Sequence, residues 1–154
     1  MDIPTRKATR IPGFDYSGEH YYFVTICTNE KKCLFGTVDK LNALGKIAEE
    51  DLMQLDSHYL GVHIDKIVVM PNHVHAIIVI GCKNEDRAYP SLNTIIGQYK
   101  AGVTRKIRNT EPEMMVWQRS YHDHVIRNRT DYERIWNYIE GNPSKWMDDC
   151  YYLE

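Results

Sequence analysis

Apolar positions along this chain change their spacing several times, and each change marks an element. Tyr21 to Thr28, YYFVTICT, is rich in aromatic and β-branched residues on both faces and reads as a first strand in a central position. From Asn42 to about Tyr59, residues Leu44, Ile47, Ala48, Leu52, Leu55 and Tyr59 recur at helical spacing, and Asp51 is the one charge inside that stripe. His63 to Met70 reads as a second strand. It turns at Pro71 and Asn72 into a third within Met70 to Ile80, MPNHVHAIIVI, giving a hairpin.

Ser91 can cap a second helix whose stripe is Leu92, Ile95, Ile96, Tyr99, Val103 and Ile107. Thr110 to Glu113 breaks it, and Val116 to Ile126 contains a fourth, more polar strand. Thr130 and Glu133 form a Thr-x-x-Glu capping box for a last helix with an apolar face of Tyr132, Ile135, Trp136 and Ile139, ended by Gly141 and Pro143. Residues 1–19, with little periodicity, read as an arm, and Gly81 to Pro90 as a polar loop. The order strand, helix, strand, strand, helix, strand is the split arrangement of ferredoxin-like folds. The expected class is therefore α+β: a βαββαβ core around a central antiparallel sheet, with an additional C-terminal helix.

Composition narrows the class without naming a function. The 154 residues suit one domain, 1–154, able to bury a core without staples. Cys27, Cys33, Cys82 and Cys150 are scattered with no CxxC pair, so a disulfide frame or a zinc ribbon is not expected, and they read as reduced thiols of a cytoplasmic protein. No apolar run is long enough for a membrane helix, and Met1 to Arg10 is too polar for a secretory leader. A net charge of −2 gives no global field that would favour nucleic acid. Basic residues nonetheless gather at Arg6, Lys7 and Arg10, at Lys100, Arg105, Lys106 and Arg108, and at Arg119, Arg127, Arg129 and Arg134. One face can be basic, or these are ordinary solvated charges.

Within the third strand, His73 and His75 share one side with Ile77 and Val79, while Val74, Ala76, Ile78 and Ile80 take the other. A rigid pair of imidazoles is half of a metal site, and the other half must come from elsewhere. Two histidines at a strand start are also often simply hydrogen-bonded. In the last helix Tyr138 falls to the flank of the apolar face, on the row of Arg134 and Asn142. Its ring can lie on the sheet while its hydroxyl reaches a polar site, and Asn142 can offer an amide oxygen to the same place. With 11 tyrosines in the chain, position alone separates Tyr138 only modestly from Tyr99, Tyr121 or Tyr132.

Several blocks together carry a resemblance: His73-Val74-His75 after the Pro-Asn turn, Trp117-Gln118-Arg119, His122-Asp123-His124-Val125-Ile126-Arg127-Asn128, and Tyr138-Ile139-Glu140-Gly141-Asn142-Pro143. From about Tyr21 to Trp146 the chain resembles the single-tyrosine HUH transposases of bacterial insertion sequences, and within them the REP-associated branch is the most similar. The resemblance implies a single-stranded DNA endonuclease and strand transferase acting on hairpin or repeat DNA through a 5′-phosphotyrosine intermediate. It implies His73 and His75 as metal ligands, Tyr138 as nucleophile and Asn142 as a third metal contact, although other branches place a glutamine there. Mg²⁺ or Mn²⁺ is the implied ion; imidazole ligands would also accept zinc.

The implied chemistry suits the residues. A phenol with a pKa near ~10 is a weak nucleophile at neutral pH and needs a divalent ion at the phosphate it attacks. For DNA binding, Arg119, Arg127 and Arg129 can neutralise phosphates, Lys100 and Arg105 offer a second basic track, and Trp117 either stacks a base or belongs to the core. His122 and His124 alternate on one face, where one of them can orient a ligand or is simply a satisfied polar group. Two other readings stand beside the nuclease: a non-catalytic nucleic-acid-binding domain such as a domesticated transposase, and, ranked last, a zinc hydrolase. A monomer and a homodimer are both compatible with the sequence.

Overall fold

A computed structural model of the chain describes residues 20–81 and 89–148. The arm of residues 1–19, with Arg6, Lys7 and Arg10, most of the polar loop, and Cys82 and Cys150 lie outside the described residues. Four strands, β1 (His20–Cys27), β2 (Val62–Met70), β3 (His73–Ile80) and β4 (His122–Ile126), form one antiparallel sheet in the order β2-β3-β1-β4. Helices α1 (Ala43–Met53), α2 (Leu55–His58), α3 (Leu92–Ile107) and α4 (Arg129–Gly141) complete the expected α+β, ferredoxin-like arrangement with its additional C-terminal helix.

Alternation along the two central strands divides the core into two. Val24 and Ile26 of β1 and Val74, Ala76, Ile78 and Ile80 of β3 face α1 and α3, where they meet Leu52, Ile95, Ile96, Val103 and Ile107. The opposite face presents Tyr21, Ile77 and Val79 to Tyr132, Ile135 and Ile139 of α4. Every residue of β3 is buried, as the apolarity of both its faces predicts. Each fully buried aliphatic side chain contributes roughly 1.5–3 kcal/mol relative to exposure. One charge is drawn into the first layer: Asp51 of α1 is buried and pairs with Lys106 of α3.

Two local expectations are corrected. The single helix expected over Asn42 to Tyr59 breaks at Gln54, where the Ser57 hydroxyl donates to the Gln54 carbonyl at 2.9 Å, and Tyr59 is already extended. Gly61 follows with φ +83°, and a Cβ there would stand 2.2 Å from the Tyr89 ring, so only glycine fits the approach to β2. The Thr-x-x-Glu box is not the cap of α4. Asn128 is, its side-chain oxygen accepting the Asp131 N–H at 2.8 Å, which places Thr130 inside the first turn.

The strand expected within Val116 to Ile126 is regular only from His122. Before it, Thr28 and Trp117 form an isolated bridge, and the Gln118 N–H donates to the Cys27 carbonyl at 3.0 Å. The chain then leaves the ladder, and the Lys100 ammonium donates to the carbonyls of Gln118, Arg119 and Ser120 at 2.7, 3.3 and 3.4 Å. A cation thus satisfies acceptors that have no strand partner among the described residues.

Candidate nucleic-acid cleavage site

The hairpin turn at Pro71 and Asn72 delivers His73 to the first position of β3, opposite Cys27 of β1, with His75 opposite Thr25. Both histidines are essentially buried, at 0 and 1% exposure, and their ring centroids lie 4.6 Å apart. Nδ1 of His73 is 2.8 Å from Oδ1 of Asn72, while Nδ2 of Asn72 donates to the Lys31 carbonyl at 3.1 Å. The second bond fixes the amide so that Oδ1 is the acceptor. His73 therefore carries its proton on Nδ1 and keeps the lone pair of Nε2 for another partner.

His75 is held in a similar way, with Nδ1 2.9 Å from the Thr25 hydroxyl. Burial, reinforced by the neighbouring His73, pushes its pKa down to about 3, against an opposing hydrogen bond at the Val24 backbone. The ring is neutral at physiological pH. A neutral imidazole competes with no proton for a metal ion.

On α4 the buried residues are Tyr132, Ile135 and Ile139, and Tyr138 stands on the flank of that stripe. Its ring meets Phe23 edge to face at 6.1 Å and His75 at 5.4 Å between centroids, yet 43% of the residue is exposed. One face packs on the sheet, and part of the residue reaches solvent. Asn142 follows one turn later as the C-cap of α4. Its Nδ2 donates to the Tyr138 carbonyl at 3.1 Å, and its Oδ1 is buried without a hydrogen-bond partner among the described residues. Trp146, on the short turn after α4, lies over His73 with centroids 6.2 Å apart.

Of these residues, His75 and Tyr138 line a cavity of about 310 Å³, together with Phe23, Thr25, His124, Arg134 and Ile135. Among the described residues no group of three or more His, Cys, Asp or Glu side chains is placed to hold a metal ion. A divalent ion here would have to rely on two imidazoles and a neutral oxygen. The buried, unbonded Oδ1 of Asn142 suits such a donor set chemically, because it adds an oxygen ligand without cancelling the charge of the ion.

Sequence reasoning did not assign roles to Thr25, Asn72, Asp131 or Arg134. The signal for Asn72 and Thr25 is register: one directly precedes His73, and the other stands opposite His75. His124 pairs with Phe23 across β4 and β1, so the His122 and His124 alternation does put both on the Tyr138 side of the sheet. His124 Nε2 donates to Asp131 at 2.7 Å, and Arg134 pairs with the other oxygen of the same carboxylate.

The basic candidates scatter more widely. Arg119, Arg127 and Arg129 are exposed, the last in the first turn of α4. Lys100 and Arg105 line a separate groove of about 620 Å³ with Arg108 and Arg119; α3 packs on the face of the sheet opposite His73 and His75. Lys100 is largely committed to its three carbonyls, and burial lowers its pKa. Trp117, a stacking platform or a core residue on the sequence reading, lies largely in the core and borders the same groove. It is 9% exposed and packs against Phe35 and Tyr99, because the bridge to Thr28 turns it into the core.

Known proteins resemble this chain in sequence and in fold. Residues 16–142 match a protein family described as transposase, IS200 like. An uncharacterized protein of Haemophilus influenzae is 33% identical, the match spanning 99% of this chain and 96% of that protein. Among solved structures, a REP-associated tyrosine transposase bound to a REP hairpin is similar at a TM-score of 0.57 with 20% identity, over 82% of this chain and 67% of the other. A Deinococcus radiodurans R1 protein assigned as a transposase is similar at a TM-score of 0.54 with 16% identity, over 86% of this chain and 96% of the other. At these identities the two structures speak for the fold. The described residues contain no helix long and apolar enough to cross a membrane.

Proposed function

This chain belongs to the IS200-like transposase family, and from that premise we propose that it cuts and rejoins single-stranded DNA, at a hairpin or repeat, through a covalent bond to Tyr138. The observation that carries the reading is the position of Tyr138, partly exposed on α4 with its ring edge-on to the buried His75. A solved relative of the same fold is bound to a REP hairpin, which supports DNA as the partner.

The phenolic oxygen of Tyr138 attacks the scissile phosphorus, the bond to the 3′ oxygen breaks, and that oxygen leaves to take up a proton as a 3′-hydroxyl. The phenolic proton passes to solvent. Joining is the reverse step: a 3′-hydroxyl attacks the phosphotyrosine and releases Tyr138, so no external energy source is required. Packing on Phe23 and His75 restricts the tyrosine ring on the wall of the cavity. His73, His75 and Asn142 would hold a divalent ion, Mg²⁺ or Mn²⁺, whose charge when bound polarises the phosphate and offsets the negative charge that builds there. Asn72 and Thr25 orient the two imidazoles. Arg119, Arg127 and Arg129 remain proposed contacts for the DNA backbone, with Lys100 and Arg105 on the opposite side of the sheet.

The test is a denaturing gel. A 3′-labelled hairpin oligonucleotide incubated with the protein and Mg²⁺ or Mn²⁺ transfers its label to the protein, and chelation or Tyr138→Phe removes the transfer. A non-catalytic binding domain would retain the oligonucleotide under native conditions and yield no denaturation-resistant product.

A further inference from the structure

One wall of the Tyr138 cavity carries a charged cluster that the cleavage reading does not use. Asp131, in the first turn of α4, has most of its side chain buried (15% exposed) and is approached from two elements: His124 Nε2 of β4 at 2.7 Å on one oxygen and an Nη of Arg134 on the other. Burial alone would raise its carboxyl pKa, but the hydrogen bonds from His124 and Arg134 outweigh it and hold the group below its usual value. The carboxylate stays ionised. Pinned on both oxygens, it fixes the guanidinium rather than leaving it to swing.

Arg134 is not spent by this contact. One nitrogen meets Asp131, and the other guanidinium nitrogens take no hydrogen bond among the described residues. The side chain is 67% exposed and lines the cavity together with His124 and Tyr138. Four positions separate Arg134 from Tyr138, so the two stand on one row of the helix, about one turn apart. The other titratable side chain on that cavity wall is His75; His122 shares the sheet face with His124. An ordinary i,i+3 surface pair would need neither the second strap from β4 nor a place in the cavity of the nucleophile.

We infer that Arg134, held by the His124–Asp131 strap, is the residue that grips a non-bridging oxygen of the phosphate attacked by Tyr138. Asp131 and His124 act through Arg134 and are positioning residues. A planar guanidinium with donors to spare suits a phosphate group, and a donor fixed in advance stabilises charge developing on its oxygens without reorganising. The inference rests on the cleavage reading for its role in chemistry, and on the cavity alone for its role in binding.

Two measurements separate those parts. In the covalent-transfer assay, Arg134→Ala is expected to lower the rate at saturating oligonucleotide by about 100-fold. Arg134→Lys should recover only part of it, since it keeps the charge and loses the fork, and Asp131→Asn should fall between wild type and Arg134→Ala. In the Tyr138→Phe background, fluorescence anisotropy of a labelled oligonucleotide at low salt should show Arg134→Ala weakening binding at least as much as Arg127→Ala. Wild-type maximal rate and KM in Arg134→Ala, or unchanged anisotropy binding, would overturn the inference. Absence of any transfer by the wild type would overturn the cleavage reading instead, and the anisotropy comparison would still decide whether Arg134 holds phosphate.

Discussion

The ring of Tyr138, on the last helix, meets the ring of His75, on a central strand, at 64° with 5.4 Å between centroids. Two residues far apart in the chain are brought together because α4 packs Tyr132, Ile135 and Ile139 on the same sheet face that presents the histidines. The helix is seated by its apolar stripe, and Tyr138 is aimed by standing beside that stripe.

Metal binding should depend on the imidazoles and on their anchors. His73→Ala or His75→Ala is expected to abolish Mn²⁺ binding measured by titration calorimetry, and Asn142→Ala to weaken it. Asn72→Ala, which removes the acceptor at 2.8 Å from Nδ1 of His73, should weaken it by roughly 10–100-fold. Unchanged affinity in both histidine variants would remove the metal site from the account.

Acid should destabilise the metal-free protein through His75. Its folded-state pKa of about 3 lies below the ordinary 6.5, so between these values the unfolded chain binds more protons. The stabilisation is full above about pH 6.5 and is lost as pH falls towards 3. Near pH 5 the loss attributable to this one group is about 2 kcal/mol. Urea unfolding in EDTA at pH 7.5 and pH 5 should show it, and His75→Gln should flatten the difference. An identical pH dependence in His75→Gln would contradict the burial argument.

Trp117 should behave as a core residue. Trp117→Ala is expected to cost roughly 3–5 kcal/mol of stability, whereas Trp117→Phe should keep both the fold and the affinity for oligonucleotide. Loss of DNA affinity in Trp117→Phe at unchanged stability would restore the base-stacking role.

Much of this was legible in the sequence because periodicity reports burial. The two-faced apolarity of β3 predicted its central place, and the 3.6-residue period of α4 predicted that Tyr138 would sit off the buried stripe. Competition between local signals was harder to read. Asn128 and Thr130 are both good caps, and the short path from Ile126 at the end of β4 to the helix favours the earlier one. Trp117 was undecidable, since only the bridge to Thr28 determines which way it points. Thr25, Asn72, Asp131 and Arg134 depend on cross-strand register and on contacts between elements, which no local pattern contains. In the sequence Asp131 carries no signal, and Arg134 stands out only as one basic residue on the row of Tyr138; the approach of His124 from the neighbouring strand is what joins them.

The most direct measurement is the identity of the residue that becomes linked to DNA. After reaction with a hairpin oligonucleotide and Mn²⁺, nuclease trimming and proteolysis, mass spectrometry should find the nucleotide adduct on the peptide containing Tyr138 and on no other tyrosine. An adduct on Tyr132 or Tyr121, or a reaction that proceeds in Tyr138→Phe, would contradict the account.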